Sequence, residues 1–117
     1  MIPKKEIDRI AYLRFLGEIY ALTAVRYNHI SLAKICAKYR DLKHRTAETR
    51  KALQNTGVLL TQGRANGMKY KWNLKDFGPP SLLAVDALIY ETRRLRSKYE
   101  YNYKKRRKSL IFTEAKN

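Results

Sequence analysis

Four helical patterns interrupted by one hairpin pattern predict a mainly α fold with a small β-hairpin, bounded by long N-terminal and C-terminal helices. Three observations carry that expectation. Apolar residues recur at three- and four-residue intervals near both ends of the chain. Met68, Tyr70 and Trp72 alternate with Lys69, Lys71 and Asn73, the period of a half-buried strand. Between that run and the β-prone residues 58–62 lie Gly63 and Gly67, which can take the positive φ values of a hairpin turn.

The first helix is expected over residues 3–27. Pro3 suits a first helical turn, and Ile10, Leu13, Leu16, Tyr20 and Ala24 form its apolar stripe. "YNHI" breaks it and reads as a very short extended piece ending at Ile30. Ser31 is the expected N-cap of a short second helix in "LAKICAKYR", with Leu32, Ile35, Cys36 and Tyr39 on one face. "DLK" turns the chain into a third helix over residues 44–55, where Thr46, Thr49 and Leu53 share a face. Gly57 is placed to end that helix. The strands follow at 58–62 and 68–73, with Val58, Leu60, Tyr70 and Trp72 expected to close the core. Pro79 and Pro80 in the connector "KDFGPPS" stop any upstream helix. The last helix runs from residue 82 to at least 103, with Leu82, Val85, Leu88 or Ile89, Thr92, Leu95, Tyr99 and Tyr103 as its stripe. These boundaries divide the chain into a domain over 1–78, a basic helix over 79–108 that packs on the domain or on a partner, and a frayed tail over 109–117.

Charge is the unusual quantity. The 117 residues include 26 Lys and Arg against 10 Asp and Glu, a net charge of +16. So positive a chain repels itself unless a polyanion offsets the charge. Nucleic acid is the first candidate, an anionic membrane surface the second. No apolar run approaches a membrane span, and "MIPKKEIDRI" lacks the apolar core and cleavage site of a secretory leader. One cysteine, Cys36, excludes an intrachain disulfide and fits a reducing compartment. A soluble intracellular protein is expected.

The order helix, short strand, helix, turn, helix, hairpin resembles a winged helix-turn-helix DNA-binding domain over residues 7–74. Three stretches carry the resemblance: "SLAKICAKYRDLKHRTAETRKAL", the helix-end pattern "LQNTGVL", and the glycine-bearing hairpin with its aromatic return strand. Thr46 and Thr49 stand where that family more often has Val or Leu. The resemblance implies that helix 44–55 enters the DNA major groove and that the hairpin is a wing on the backbone or in the minor groove.

The expected contacts follow. Lys43, His44 and Arg45 begin the third helix, and an arginine can grip guanine O6 and N7 in a bidentate way. Ala47, Glu48, Lys51 and Asn55 complete its expected outer face, with Arg50 beside it. Glu48 would accept from cytosine or pair with Arg45 or Lys51 along the helix. Arg64 and Asn66 occupy the wing tip, Lys69 and Lys71 its return strand. Residues 93–108 hold nine basic residues and one acid. Lys104, Lys105, Arg106, Arg107 and Lys108 would add phosphate contacts, or form a nuclear address in a eukaryote.

The expected function is therefore sequence-specific binding of double-stranded DNA, as a transcriptional regulator or a mobile-element protein. The location would be cytoplasmic and nucleoid-associated in a prokaryote, nuclear in a eukaryote. The last helix is a candidate homodimer surface. An RNA-binding module and a winged-helix protein-interaction module are the alternatives. No cofactor, metal or membrane partner is expected: there is no zinc spacing, no glycine-rich phosphate loop and no catalytic constellation. Cys36 reads as a buried, inert thiol.

Overall fold

The computed structural model describes residues 4–98, with side chains from residue 9 onward. The described part holds five helices and a two-stranded antiparallel sheet, an arrangement compatible with a winged-helix-like domain. The helices are α1 (Lys4–Thr23), α2 (Leu32–Ala37), α3 (Thr46–Asn55), the single turn α4 (Leu74–Phe77) and α5 (82–98); the strands are β1 (Leu59–Gln62) and β2 (Lys69–Trp72).

Helix α1 buries Tyr12, Phe15, Leu16, Ile19 and Thr23. Of the expected stripe only Leu16 is fully inside, and Ile10 is 45% exposed. Helix α1 carries apolar residues around most of its circumference, so two stripes have helical spacing. The one that wins holds Phe15, which meets Tyr39 edge-on with centroids 5.7 Å apart. The helix stops at Thr23, short of residue 27. Asn28 Nδ2 donates to the Leu22 carbonyl there, satisfying one of the open acceptors of a helix end.

Asn28 exchanges two backbone hydrogen bonds with Tyr70, at 2.9 and 2.8 Å. The extended piece expected in "YNHI" is thus a single bridge on the outer side of β2. Ser31 caps α2 as expected, its Oγ accepting from Lys34 N–H. Helix α3 begins at Thr46 rather than residue 44. Successive turns, Leu42 N–H to the Tyr39 carbonyl and Arg45 N–H to the Leu42 carbonyl, bury Leu42 and use up Lys43 and His44 before helix can start. Gly57 ends α3 with φ +80, a value that L side chains rarely adopt.

The sheet register places Leu59 opposite Trp72 and Leu60 opposite Lys71. Residues opposite one another share a face. Leu59 therefore goes inside at 2% exposure while Leu60 is 40% exposed, the reverse of the expected assignment of Leu60 to the core. Val58 is buried just before the strand. At the turn, Gly63 takes φ +94, and a Cβ there would lie 2.7 Å from the Gly67 carbonyl oxygen. The second positive φ falls on Ala65 and not on Gly67.

Trp72 is fully buried. Its Nε1 donates to the Gly78 carbonyl at 2.7 Å, and its ring meets Tyr20 edge-on at 5.4 Å. The connector contains the turn α4, capped by Asn73 Oδ1, which accepts from Asp76 N–H. Helix α5 then buries Ala84, Val85, Leu88, Thr92 and Leu95 in the same core, leaving Leu82 exposed. Arg9 grips Asp86 in a bidentate way, both contacts 3.0 Å, and Asn55 Nδ2 donates to Glu91 Oε1. These links hold α5 across α1 and the end of α3.

Two predictions follow from this packing. Leu59→Ala should lower stability by about 2–4 kcal/mol, and Leu60→Ala by under ~1 kcal/mol. Equal losses in urea titrations would contradict the register. The second concerns Glu18, whose carboxylate accepts from Lys38 Nζ at 2.8 Å and from the Tyr39 hydroxyl at 2.5 Å. Those bonds, Lys38 first, hold Glu18 below its usual value against the opposing effect of burial. Tyr39 is pushed up to about 12, by burial first and by Glu18 second. The Glu18 contribution is present above the ordinary carboxylate range and is lost as pH falls through the lower folded value. The Tyr39 contribution holds below its ordinary value and is lost as pH rises through the folded one. Glu18→Gln should cost about 1 kcal/mol at neutral pH, allowing for partial exposure, and should flatten the acid limb of stability against pH.

Candidate nucleic-acid interface

With Thr49, Ala52 and Leu53 buried, α3 turns Ala47, Arg50, Lys51 and Gln54 outward. The expected outer face is therefore rotated. Glu48 and Asn55, seven residues apart, share a flank, and Asn55 is bonded to Glu91 of α5. Glu48 is half-buried; its Oε2 is inaccessible and has no hydrogen-bond partner, so the expected pairing with Arg45 or Lys51 is not made. Gln54 was not among the expected contacts, yet it is exposed on the same face as Lys51. Lys43 and His44 are exposed in the turn before α3. Arg45 is half-buried, its carbonyl accepting from Thr49 N–H at 2.9 Å.

Across from α3, Arg64 and Asn66 are exposed at the hairpin tip, and Lys69 is exposed on β2. Lys71 is half-buried, its ammonium 5.9 Å from the centroid of the Tyr27 ring, a cation–π distance. Lys71 therefore lies over Tyr27, away from the side of β2 that carries Tyr70 and Trp72.

An open groove of about 530 Å³ separates the hairpin from the helices. Residues 29–33, Arg50, Asn66 and Met68 line most of it, and no acid does. The His29 ring nitrogen Nδ1 lies 3.1 Å from the Met68 carbonyl oxygen, the distance of a donated hydrogen bond. Gln54 Nε2 makes a long contact, 4.0 Å, with the Met68 sulfur. His29 and Ser31 line this groove and Gln54 lies beside Met68; none of the three was among the residues expected from the sequence. The available signal was the short strand ending beside an N-cap, which brings "NHIS" next to the return strand.

Glu18 engages Lys38 and Tyr39, Asp76 engages Asn73, Asp86 engages Arg9, and Glu91 engages Arg94 and Asn55. By contrast, the side chains of Lys43, Arg50, Lys51, Arg64 and Lys69 have no hydrogen-bond or ion-pair partner among the described residues. The expected contacts Lys104, Lys105, Arg106, Arg107 and Lys108, with the tyrosines at 99, 101 and 103, lie outside the described residues.

Cys36 sits beneath α3. Burial pushes its thiol up from the ordinary value, partly countered by Thr46, Arg50 and Thr49 in that order. Thr49 Oγ1 is buried without a hydrogen bond of regular geometry. That is the cost of a threonine where an aliphatic side chain would need no partner. Among the described residues no group of His, Cys, Asp and Glu is arranged to hold a metal, and no helix is long and apolar enough to cross a membrane. No family model, curated protein or solved structure matches the chain.

Proposed function

We propose that the chain is a sequence-specific, double-stranded DNA-binding protein of the winged-helix type. The cations along α3 and the hairpin carry this reading: Lys43, Arg50, Lys51, Arg64 and Lys69 have no partner among the described residues, and no acid lines the groove beside them. A duplex presents one phosphate charge per ~1.7 Å of axis, the polyanion such a face complements.

In this reading α3 enters the major groove. Arg50 and Lys51 suit guanine, and Gln54 suits adenine through N6 and N7. Lys43, His44 and Arg45 meet the backbone at the helix entrance. Arg64 and Asn66 reach the minor groove or its rim, where narrow sequences attract arginine. Lys69 takes a phosphate, and the basic run 104–108 extends the footprint. Glu48 drops out of the set of base readers. Regulation of transcription and service to a mobile element are both compatible with this chemistry, in a prokaryotic cytoplasm or a eukaryotic nucleus.

Selection from a random duplex library at near-physiological salt should enrich one sequence. On that site Arg50→Ala should cost about 1–3 kcal/mol and relax preference at one or two base pairs. Lys69→Ala should weaken all sequences alike and lower the salt slope by about 1. Affinity should fall by about 10³–10⁵ between low and moderate salt. A flat salt response, or equal affinity for structured RNA, would overturn the reading.

A further inference from the structure

Helix α5 buries one face in the core and leaves another uncovered. Leu83 and Tyr90, seven residues apart on that outer face, are 77% and 71% exposed. A shallow hollow runs beside Tyr90, bordered by Asp86, Ile89, Arg93 and Ser97. Leu88 and Leu95 of the expected apolar stripe lie inside the chain's own core and are not open to a partner, while Tyr99 and Tyr103 lie outside the described residues.

The charge on α5 is polarised. Residues 82–92 carry Asp86 and Glu91 and no cation; residues 93–98 carry Arg93, Arg94, Arg96 and Lys98 and no acid. Parallel pairing of two such helices would set the four cations against each other. Antiparallel pairing sets the acidic half against the basic half. At about 100° and 1.5 Å per residue, Asp86 lies ~6 Å before Tyr90 and Arg93 ~4.5 Å after it, both rotated to the same side. A two-fold axis at Tyr90 therefore brings Asp86 of one copy beside Arg93 of the other, twice, around two facing tyrosines. Arg93 has no partner among the described residues. Asp86, although held by Arg9, keeps acceptor capacity, and its side chain is 55% exposed.

We infer that α5 is a homodimerisation surface, pairing antiparallel with a second copy through Leu83 and Tyr90 and a reciprocal Asp86–Arg93 contact. The occupant is another copy because the pattern is self-complementary under a two-fold, as a closed dimer requires. A helix of this length presents less than the roughly 1,200 Å² of a standard stable interface, so the dimer is weak and concentration-dependent.

The test uses the full chain without nucleic acid, so it stands or falls apart from DNA binding. Sedimentation from about 1 μM to about 1 mM should show reversible dimerisation of the native chain. Tyr90→Glu, at an exposed site, should weaken it at least ~10-fold with an unchanged circular dichroism spectrum. Asp86→Lys and Arg93→Glu should each stay monomeric alone and associate when mixed, since both contacts are then attractive. A native chain monomeric throughout, Tyr90→Glu dimerising as well as native, or charge variants that do not recognise each other would overturn the inference.

Discussion

The burial of Trp72 is the constraint on which the sheet and its placement depend. Two four-residue strands have little stability of their own in water. Trp72 gives them a place in the core, against Leu59 on the partner strand and Tyr20 on α1, while its indole N–H is satisfied by Gly78. With that ring fixed, the period of two sends Tyr70 inward and Lys69 and Lys71 outward. The same ring turns Leu60 out, since Leu60 lies across from Lys71. The hydrogen bond to Gly78 also holds the connector that leads into α5.

The polar links at the periphery act differently. Arg9 with Asp86 and Lys38 with Glu18 are at least partly exposed, and such pairs each contribute ~0–1 kcal/mol; the Arg94–Glu91 pair lies at the surface as well. Their larger effect is on where charge remains. Glu18, Asp86 and Glu91 are occupied locally, so they do not neutralise the cations of α3 and the hairpin. The cations of α3 and the hairpin keep their mutual repulsion, which a polyanion would relieve.

The legibility of the fold varied with the kind of signal. Alternation in "MKYKW" marked the inward face of β2 because aromatic and lysine residues differ sharply. Gly57 and Ser31 were readable because helix ends need particular groups. The doublet Leu59-Leu60 was not, since two identical side chains carry no phase and only pairing with Trp72 decides between them. Helix α1 was ambiguous for a related reason: Ile10 and Leu13 are as apolar as the residues that won. On α3, Glu48 and Asn55 were expected on the outer face, whereas burial of Thr49, Ala52 and Leu53 turns Arg50, Lys51 and Gln54 outward.

The hairpin and α3 flank one groove, and contacts at the base of the turn hold them in place. The bridge from Asn28 holds β2 on the side opposite β1, and both His29 and Gln54 meet Met68 where the turn re-enters the strand. The tip is thus tethered from the strand side and the helix side at one residue. A surface arranged before binding avoids much of the ordering cost, about 0.5–1.5 kcal/mol for each long side chain fixed at an interface. Arg64, beyond that tether, is exposed and has no partner among the described residues. On the DNA-binding reading, discrimination therefore falls to α3, whose side chains start from a fixed frame, and Arg64 contributes chiefly attraction.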